Sequence, residues 1–243
     1  MNYQKYYYPE SQFGGFTDID GTIAFFSRVN ELVQPSFTII DFGCGRGAYK
    51  DDSINLRRNL RILGGKAKEV IGIDIDRAAE VNPFIDRFIL SDHTNLSVDD
   101  ESIDMIICDN VMEHLDNPEL FFAEAKRVLK VNGYLCIRTP NVYNYIALMS
   151  KIIPKRYHLN VLSVTQKVRK CEDVFEAYYK CNSVNKICTA MDKYGFDSVV
   201  YGYEAEPSYL SCSKLAYFFG VLHQRYAPSF CRATIFAFGK KRS

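Results

Sequence analysis

The sequence has little net charge, no long apolar run and no closely paired cysteines, and these absences exclude several classes of protein before any motif is considered. Net charge is nearly absent, with 30 Lys and Arg against 29 Asp and Glu, so no global field favours nucleic acid or an acidic membrane. The longest apolar run near the C-terminus, LAYFFGVL, is too short to span a bilayer. The eight cysteines include no CxxC pair, which argues against a zinc site or a disulfide framework. Buried free thiols and an N-terminus without an apolar signal core lead us to expect a cytoplasmic protein.

Short apolar segments alternate with helical patterns along the 243 residues, which suits one domain with elaborations. Five segments are predicted to be buried strands: 37–42, 69–74, 87–90, 102–109 and 133–139. Continuous apolar strands separated by helices are typical of a parallel sheet that helices cover on both faces. Two later segments, 196–204 and 233–239, predict an antiparallel pair at the sheet edge.

Helix signals are clearest before the fifth strand, where Asn117 is predicted as N-cap, Pro118 as the first helical residue and Gly133 as the end of the unit. The apolar face of this helix is predicted to comprise Phe121, Phe122, Ala125, Val128 and Leu129. Later helices are predicted over 183–194 and 209–223.

The segment GFTDIDGTIAFF (15–26) contains Asp-Ile-Asp-Gly-Thr, which resembles the first motif of the haloacid-dehalogenase phosphatases. The nucleophile of that family should end a buried strand, but only Phe16 and Thr17 precede Asp18 after two glycines. We therefore disfavour a phosphatase and interpret Asp20 as the N-cap of a lid helix. Its apolar face is predicted to comprise Ile23, Phe26, Val29, Leu32 and Val33.

A glycine-rich turn, DFGCGRG (41–47), directly follows the first apolar strand. Glycines let the backbone turn tightly and approach a ligand closely. Asp74 ends the next strand and can accept both hydroxyls of a ribose, so the pair predicts a nucleoside-containing cofactor. The spacing G-x-G-x-G differs from the G-x-G-x-x-G of dinucleotide sites.

Four segments resemble, in order, the motifs of class I S-adenosylmethionine (SAM)-dependent methyltransferases. They are this turn, VIGIDID, LSDHTNL and SIDMIICDNVMEHLDNPELFFAEAKRVLKVNGYLCIRTPN. The resemblance covers about residues 36–141. It implies a Rossmann-like α/β fold with a seven-stranded, mostly parallel sheet, an antiparallel last strand and SAM as cofactor. It also implies cofactor contacts from Asp41, Gly43, Cys44, Gly45, Gly47, Asp74, Ile75, Asp92, His93, Asp109 and Asn110. For Asp92, placed at the adenine amine, the start of a turn is the alternative.

One methyltransferase domain is predicted, built from an N-terminal lid and helix (1–35), a SAM-binding core (36–141), a substrate-side insertion (142–182), and C-terminal helices and edge strands (183–243). A SAM-binding subunit without catalysis is the alternative to an enzyme.

A hydroxyl acceptor benefits from a base as it loses its proton, and histidine is the usual base at neutral pH. The resemblance places His114 beside the methyl group, with packing against the sheet as the alternative. His158 follows the fifth strand, where the family has substrate-selecting insertions; an exposed loop histidine is the alternative. Glu113 has no second ligand placed by the sequence, so no metal is expected.

Residues 151–170 hold six Lys and Arg and no acid, which predicts either a solvated face or an anion site that includes Lys155 and Arg156.

The run 172–196 and the C-terminal segment resemble methyltransferases of bacterial surface-polysaccharide and lipopolysaccharide gene clusters. That resemblance implies a sugar or glycolipid acceptor methylated on oxygen. Tyr7, in a flap, and Tyr178 are further substrate candidates. Another small-molecule acceptor is the alternative; nucleic acid is not expected, and membrane contact is peripheral at most.

Overall fold

Seven strands form one sheet in the computed structural model, which describes residues 3–91, 95–144, 176–211 and 213–243. The strands are β1 Thr38–Phe42, β2 Glu69–Asp74, β3 Arg87–Leu90, β4 Ile103–Asp109, β5 Leu129–Pro140, β6 Phe196–Tyr203 and β7 Thr234–Lys241. They lie in the order β3-β2-β1-β4-β5-β7-β6, and β7 is antiparallel to both of its neighbours. The mostly parallel sheet with its antiparallel last strand is therefore confirmed.

Helices cover both faces of the sheet. They are α1 Tyr3–Tyr7, α2 Gly21–Leu32, α3 Asn55–Arg61, α4 Pro118–Val128, α5 Val184–Lys193 and α6 Lys214–Tyr226. On one face, Phe25, Phe26 and Val29 of α2 pack against strand residues such as Ile39 and Met105. On the other face, α4 and α5 pack against a second buried cluster. α2 is thus a core helix and not the lid helix that the sequence predicted.

The start of α2 agrees with its predicted cap, because Asp20 Oδ1 accepts hydrogen bonds from the amides of Thr22 and Ile23, both at 2.9 Å. Asp20 therefore precedes a helix and does not end a strand, as a phosphatase nucleophile would. The predicted apolar face missed Phe25, which is fully buried.

The end of α4 differs from the prediction. The helix ends at Val128, and Gly133 lies inside β5, where the pairing with β4 shifts register. A Cβ on Gly133 would lie 2.9 Å from the carbonyl oxygen of Lys130, so glycine is needed there for close backbone approach and not for a helix cap. Asn117 occupies the N-cap position but its side chain makes no capping hydrogen bond.

Helices α1 and α6 form a cap beyond the carboxyl ends of the strands. α1 and α6 meet through aromatic rings, with Tyr3 and Tyr7 lying 5.9 and 5.6 Å from the ring centroid of Tyr217. α6 begins at Lys214, later than predicted, because Ser208–Leu210 forms a separate 3-10 turn and Ser213 caps the helix.

Most of the described cysteines are buried free thiols. Cys44, Cys108, Cys136 and Cys181 are free and buried as predicted, whereas Cys188 is free but exposed. None of the described helices combines the length and the apolar character needed to cross a bilayer.

Candidate cofactor and acceptor site

The glycine-rich turn follows β1 and is tied to β2, because the amides of Gly43 and Cys44 both donate to the carbonyl of Ile73 at 2.7 and 3.3 Å. Gly45 has a φ of 51°, in the left-handed region, and a Cβ added there would meet no atom within 4 Å. At Gly45 the backbone of the turn therefore faces open space, which a ligand can approach closely.

The carboxylate of Asp74 lies directly beside this turn. It is buried, and its two oxygens accept hydrogen bonds from the amides of Gly45 and Asp76, both at 2.9 Å. Since each carboxylate oxygen has two acceptor sites, both retain the capacity to accept a hydroxyl. The neighbouring Ile75 is exposed and offers an apolar surface next to this acceptor. The arrangement fits a ribose with its base, as the SAM resemblance requires.

Asn82 holds the turn in place and was missed by the sequence reasoning. Its buried side-chain amide donates to the carbonyls of Cys44 and Gly45 at 3.0 and 3.1 Å. A single asparagine in a connecting segment carries no recognisable pattern, so only the fold reveals this contact. The thiol of Cys44 is buried beside Gly72, which leaves the backbone of Cys44 as its means of contacting a cofactor.

Asp41 lies near the end of β1 and borders a small cavity of about 40 Å³ together with Gly43, Tyr49 and Arg61. Burial raises the pKa of Asp41 to about 7, and the nearby carboxylate of Asp109 adds to the increase, while Arg61 opposes it. Asp41 therefore titrates near neutral pH.

Asp109 was expected to contact the cofactor, but its carboxylate is held by Arg138. The guanidinium Nε and Nη2 donate to the two carboxylate oxygens at 2.6 and 2.7 Å, and both side chains are less than 10% exposed. Asn110 Nδ2 also donates to Asp109 at 2.9 Å, and Arg138 Nη1 donates to Thr22 Oγ1 at 2.8 Å. Asp109 thus positions Arg138 in this structure.

A pocket of about 740 Å³ lies between the cap and the carboxyl ends of β4 and β5. Its lining includes Gln4, Asp20, Thr22, Arg57, Asn110, Arg138, Glu204, Glu206, Tyr209 and Tyr217. The loop after β4 joins this pocket to the glycine-rich turn: Asn110 lines the pocket, while a Cβ on Gly43 would lie only 2.2 Å from the side chain of Val111. A cofactor at the turn and a second molecule in the pocket would therefore adjoin the same loop.

Glu204 and Glu206, both unforeseen from the sequence, reach this pocket with different surroundings. Both oxygens of Glu206 accept hydrogen bonds, from Gln4 at 2.7 Å and from the hydroxyl of Tyr217 at 2.8 Å. In Glu204, Oε2 accepts from the amide of Ala233 at 2.6 Å and lies 3.4 Å from Nδ1 of His223. Burial raises the pKa of Glu204 to about 7, although the Ala233 amide opposes the shift. Glu204 can therefore take up a proton at neutral pH.

His114, the predicted base, does not line this pocket. Its Nδ1 lies 2.7 Å from the carbonyl oxygen of Glu176, and its Nε2 lies 3.9 Å from the carboxylate of Glu113. Glu113 is buried, which raises its pKa, and accepts a hydrogen bond from Thr139 at 2.9 Å. His114 is thus placed among structural contacts of the loop after β4.

The two described tyrosines that the sequence predicted to bind substrate do not line the pocket either. Tyr178 bonds to Glu176 at 3.0 Å beside His114, and Tyr7 contacts the ring of Tyr217 without lining the pocket. Five predicted site residues lie outside the described residues: Asp92, His93, Lys155, Arg156 and His158. Within the described ranges, no group of three His, Cys, Asp or Glu side chains is arranged to hold a metal ion.

Known proteins resemble this chain in sequence and in fold. Residues 40–137 match a family model described as a methyltransferase domain. Over 108 residues, the chain is 32% identical to a probable S-adenosylmethionine-dependent methyltransferase of Mycolicibacterium smegmatis; the match covers 42% of this chain but only 38% of that relative. A ubiquinone biosynthesis O-methyltransferase of Glaesserella parasuis is 27% identical over 169 residues, covering 63% of this chain and 64% of the relative. The crystal structure of a SAM-dependent methyltransferase from Archaeoglobus fulgidus has the same fold, with a TM-score of 0.56 and 17% identity over 97% of this chain and 99% of that one.

Proposed function

We propose that this chain is a SAM-dependent methyltransferase and that it methylates a hydroxyl oxygen of a sugar or glycolipid in the biosynthesis of a bacterial surface glycan. One observation carries the proposal. A glycine-rich turn with an adjacent acidic side chain, suited to a nucleoside, shares a loop with a polar pocket that contains a buried carboxylate.

Three residues at the turn would hold the cofactor. The backbone at Gly45 would approach it, Asp74 would accept the ribose hydroxyls, and Ile75 would lie against the base. SAM supplies a methyl group activated by a sulfonium. Asn82 and the Asp74–Gly45 hydrogen bond keep the turn in the required shape before the cofactor arrives.

Glu204 is our candidate for the base. An acceptor hydroxyl in the pocket would donate its hydrogen bond to the carboxylate of Glu204, which the amide of Ala233 holds through Oε2. With a pKa near 7, the carboxylate is largely ionised at slightly alkaline pH and can take the hydroxyl proton. This assignment replaces His114, whose ring nitrogen is engaged by Glu176.

The pocket lining supports an acceptor rich in hydroxyl groups. Carboxylates and guanidinium groups, such as those of Asp20, Glu204 and Arg57, bind hydroxyls through several directed hydrogen bonds. Tyr209 and Tyr217 add aromatic surface with polar tips. An extended apolar acceptor would instead displace water from these polar groups without replacing its hydrogen bonds, which is costly.

The proposal is tested by transferring labelled methyl groups from SAM into fractions of a bacterial lysate. We expect label in the carbohydrate or glycolipid fraction with the wild-type chain and none with Asp74→Ala. Asp104→Ala is the matched control, because Asp104 also accepts a backbone amide, that of Thr38 at 2.8 Å, but lies at the amino end of β4.

Each result has a separate meaning. Label found only in protein or RNA would contradict the glycan acceptor. Equal SAM affinity of wild type and Asp74→Ala, measured by calorimetry, would contradict the cofactor site. SAM binding without label in any fraction would favour a non-catalytic subunit over an enzyme.

A further inference from the structure

Helix α6 has two apolar faces, and only one of them is buried in the part of the chain that the structure describes. Tyr217, Gly220 and Val221 are buried toward α1 and the pocket. The opposite face carries a second apolar row, which we call the outer stripe: Leu215, Phe218, Phe219, Leu222 and Tyr226. Four of its members are exposed, at 65% for Leu215, 40% for Phe218, 58% for Phe219 and 77% for Tyr226.

The spacing makes the outer stripe continuous. Its members follow one another at positions i, i+3, i+4, i+7 and i+11, so they project from one side of the helix within about 100°. A stripe of this width normally faces a core. Here the opposite face of α6 already fills that role, so the outer stripe is available for another surface.

The charges on α6 favour one kind of surface. Lys214 and Arg225 are exposed at the same border of the outer stripe, and the helix contains no Asp or Glu. A second copy of the chain would bring the same two cations and no carboxylate from its own α6. Anionic lipid headgroups would neutralise both cations while the apolar side chains enter the upper acyl region.

We propose that α6 docks on an anionic membrane surface, with the outer stripe inserted at the interface and Lys214 and Arg225 against the headgroups. The inner face of the same helix supplies Tyr217 to the pocket, so docking would hold the pocket mouth close to a lipid-linked acceptor. The lipid docking stands independently of methyl transfer, because it is read out by vesicle binding alone.

The test is co-sedimentation of the full chain with vesicles. We expect binding to vesicles of phosphatidylcholine mixed with phosphatidylglycerol, weaker binding to phosphatidylcholine alone, and loss of the difference in high salt. Phe219→Ser should weaken binding by on the order of tenfold, since burial of one phenylalanine accounts for about that factor. The matched control is Val199→Ser, which removes another apolar side chain, 65% exposed on β6, and should bind as wild type.

Thermal melting of each variant checks that it is folded before binding is compared. The proposal fails if the wild-type chain ignores both vesicle types, or if folded Phe219→Ser binds as tightly as wild type. It also fails if the chain is a dimer that Phe219→Ser converts to monomer, because the outer stripe would then belong to an interface between copies.

Discussion

Replacing Arg138 with methionine should destabilise the fold strongly, because it would leave the buried carboxylate of Asp109 without its main partner. Both charge-assisted hydrogen bonds of the pair, at 2.6 and 2.7 Å, would be lost. Breaking a buried ion pair from one side costs about 3–5 kcal/mol. Asp109 keeps a hydrogen bond from Asn110 and an ion pair with Arg61 at 3.5 Å, so we expect the lower end, about 3 kcal/mol.

Urea unfolding followed by circular dichroism measures this loss, and thermal melting gives an independent reading. In a domain of this size each kcal/mol lowers Tm by about 2–4 °C, so Arg138→Met should melt about 6–12 °C below wild type. The matched control is Arg242→Met. Arg242 is exposed and pairs with Asp192 and Asp197, so its loss should cost about 1 kcal/mol or less.

The double variant Asp109→Leu/Arg138→Met separates the cost of an unpaired charge from the worth of the pair. Replacing both partners with apolar side chains is often close to neutral, so the double variant should recover about 2 kcal/mol relative to Arg138→Met. Two results would refute the reasoning. One is a loss in Arg138→Met no larger than that in Arg242→Met, and the other is a double variant less stable than Arg138→Met.

Three further predictions concern the cofactor turn and the pocket. Burial raises the pKa of Asp41 to about 7, so the folded state favours the protonated side chain. The contribution of this protonated form to the free energy of unfolding is fully present below about pH 4 and is lost as pH rises to about 7. Asp41→Asn should therefore gain stability relative to wild type across that window, by up to about 1.4 kcal/mol per pH unit in urea unfolding, and a constant difference would contradict this. Glu204→Gln should lower methyl transfer into the labelled fraction by on the order of a hundredfold and leave SAM affinity unchanged. It should also remove the pH dependence of kcat near 7. A variant that retains that pH dependence would rule Glu204 out as the base. Asn82→Ala should weaken SAM binding in calorimetry by about tenfold, since two hydrogen bonds to the turn are lost, whereas equal affinity would show that the turn holds its shape without them.

Local signals in the sequence explain which parts of the fold were predictable. Apolar strands and the glycine-rich turn are short-range patterns, and β1 to β4 lie within one residue of their predicted bounds. Gly133 was misassigned because a glycine after a helical pattern normally caps it, whereas here a register shift between β4 and β5 requires the same residue. Asp109 and Arg138 are 29 residues apart and face each other across the parallel strands β4 and β5. The register that pairs them cannot be predicted from either segment alone.

Residue types alone are a poor guide to which side chain in the site exchanges a proton near neutral pH. The sequence drew attention to His114 because the ordinary pKa of histidine lies there, but the fold engages its ring with the carbonyl of Glu176. Burial instead brings a carboxyl group into that range at Glu204, an ordinary glutamate at the end of a strand. It reaches the pocket because β7 inserts between β5 and β6 and places the amide of Ala233 against its carboxylate. A search for the base of this domain should therefore begin from buried carboxylates at the pocket wall, and the pH profile of Glu204→Gln decides between that view and the histidine.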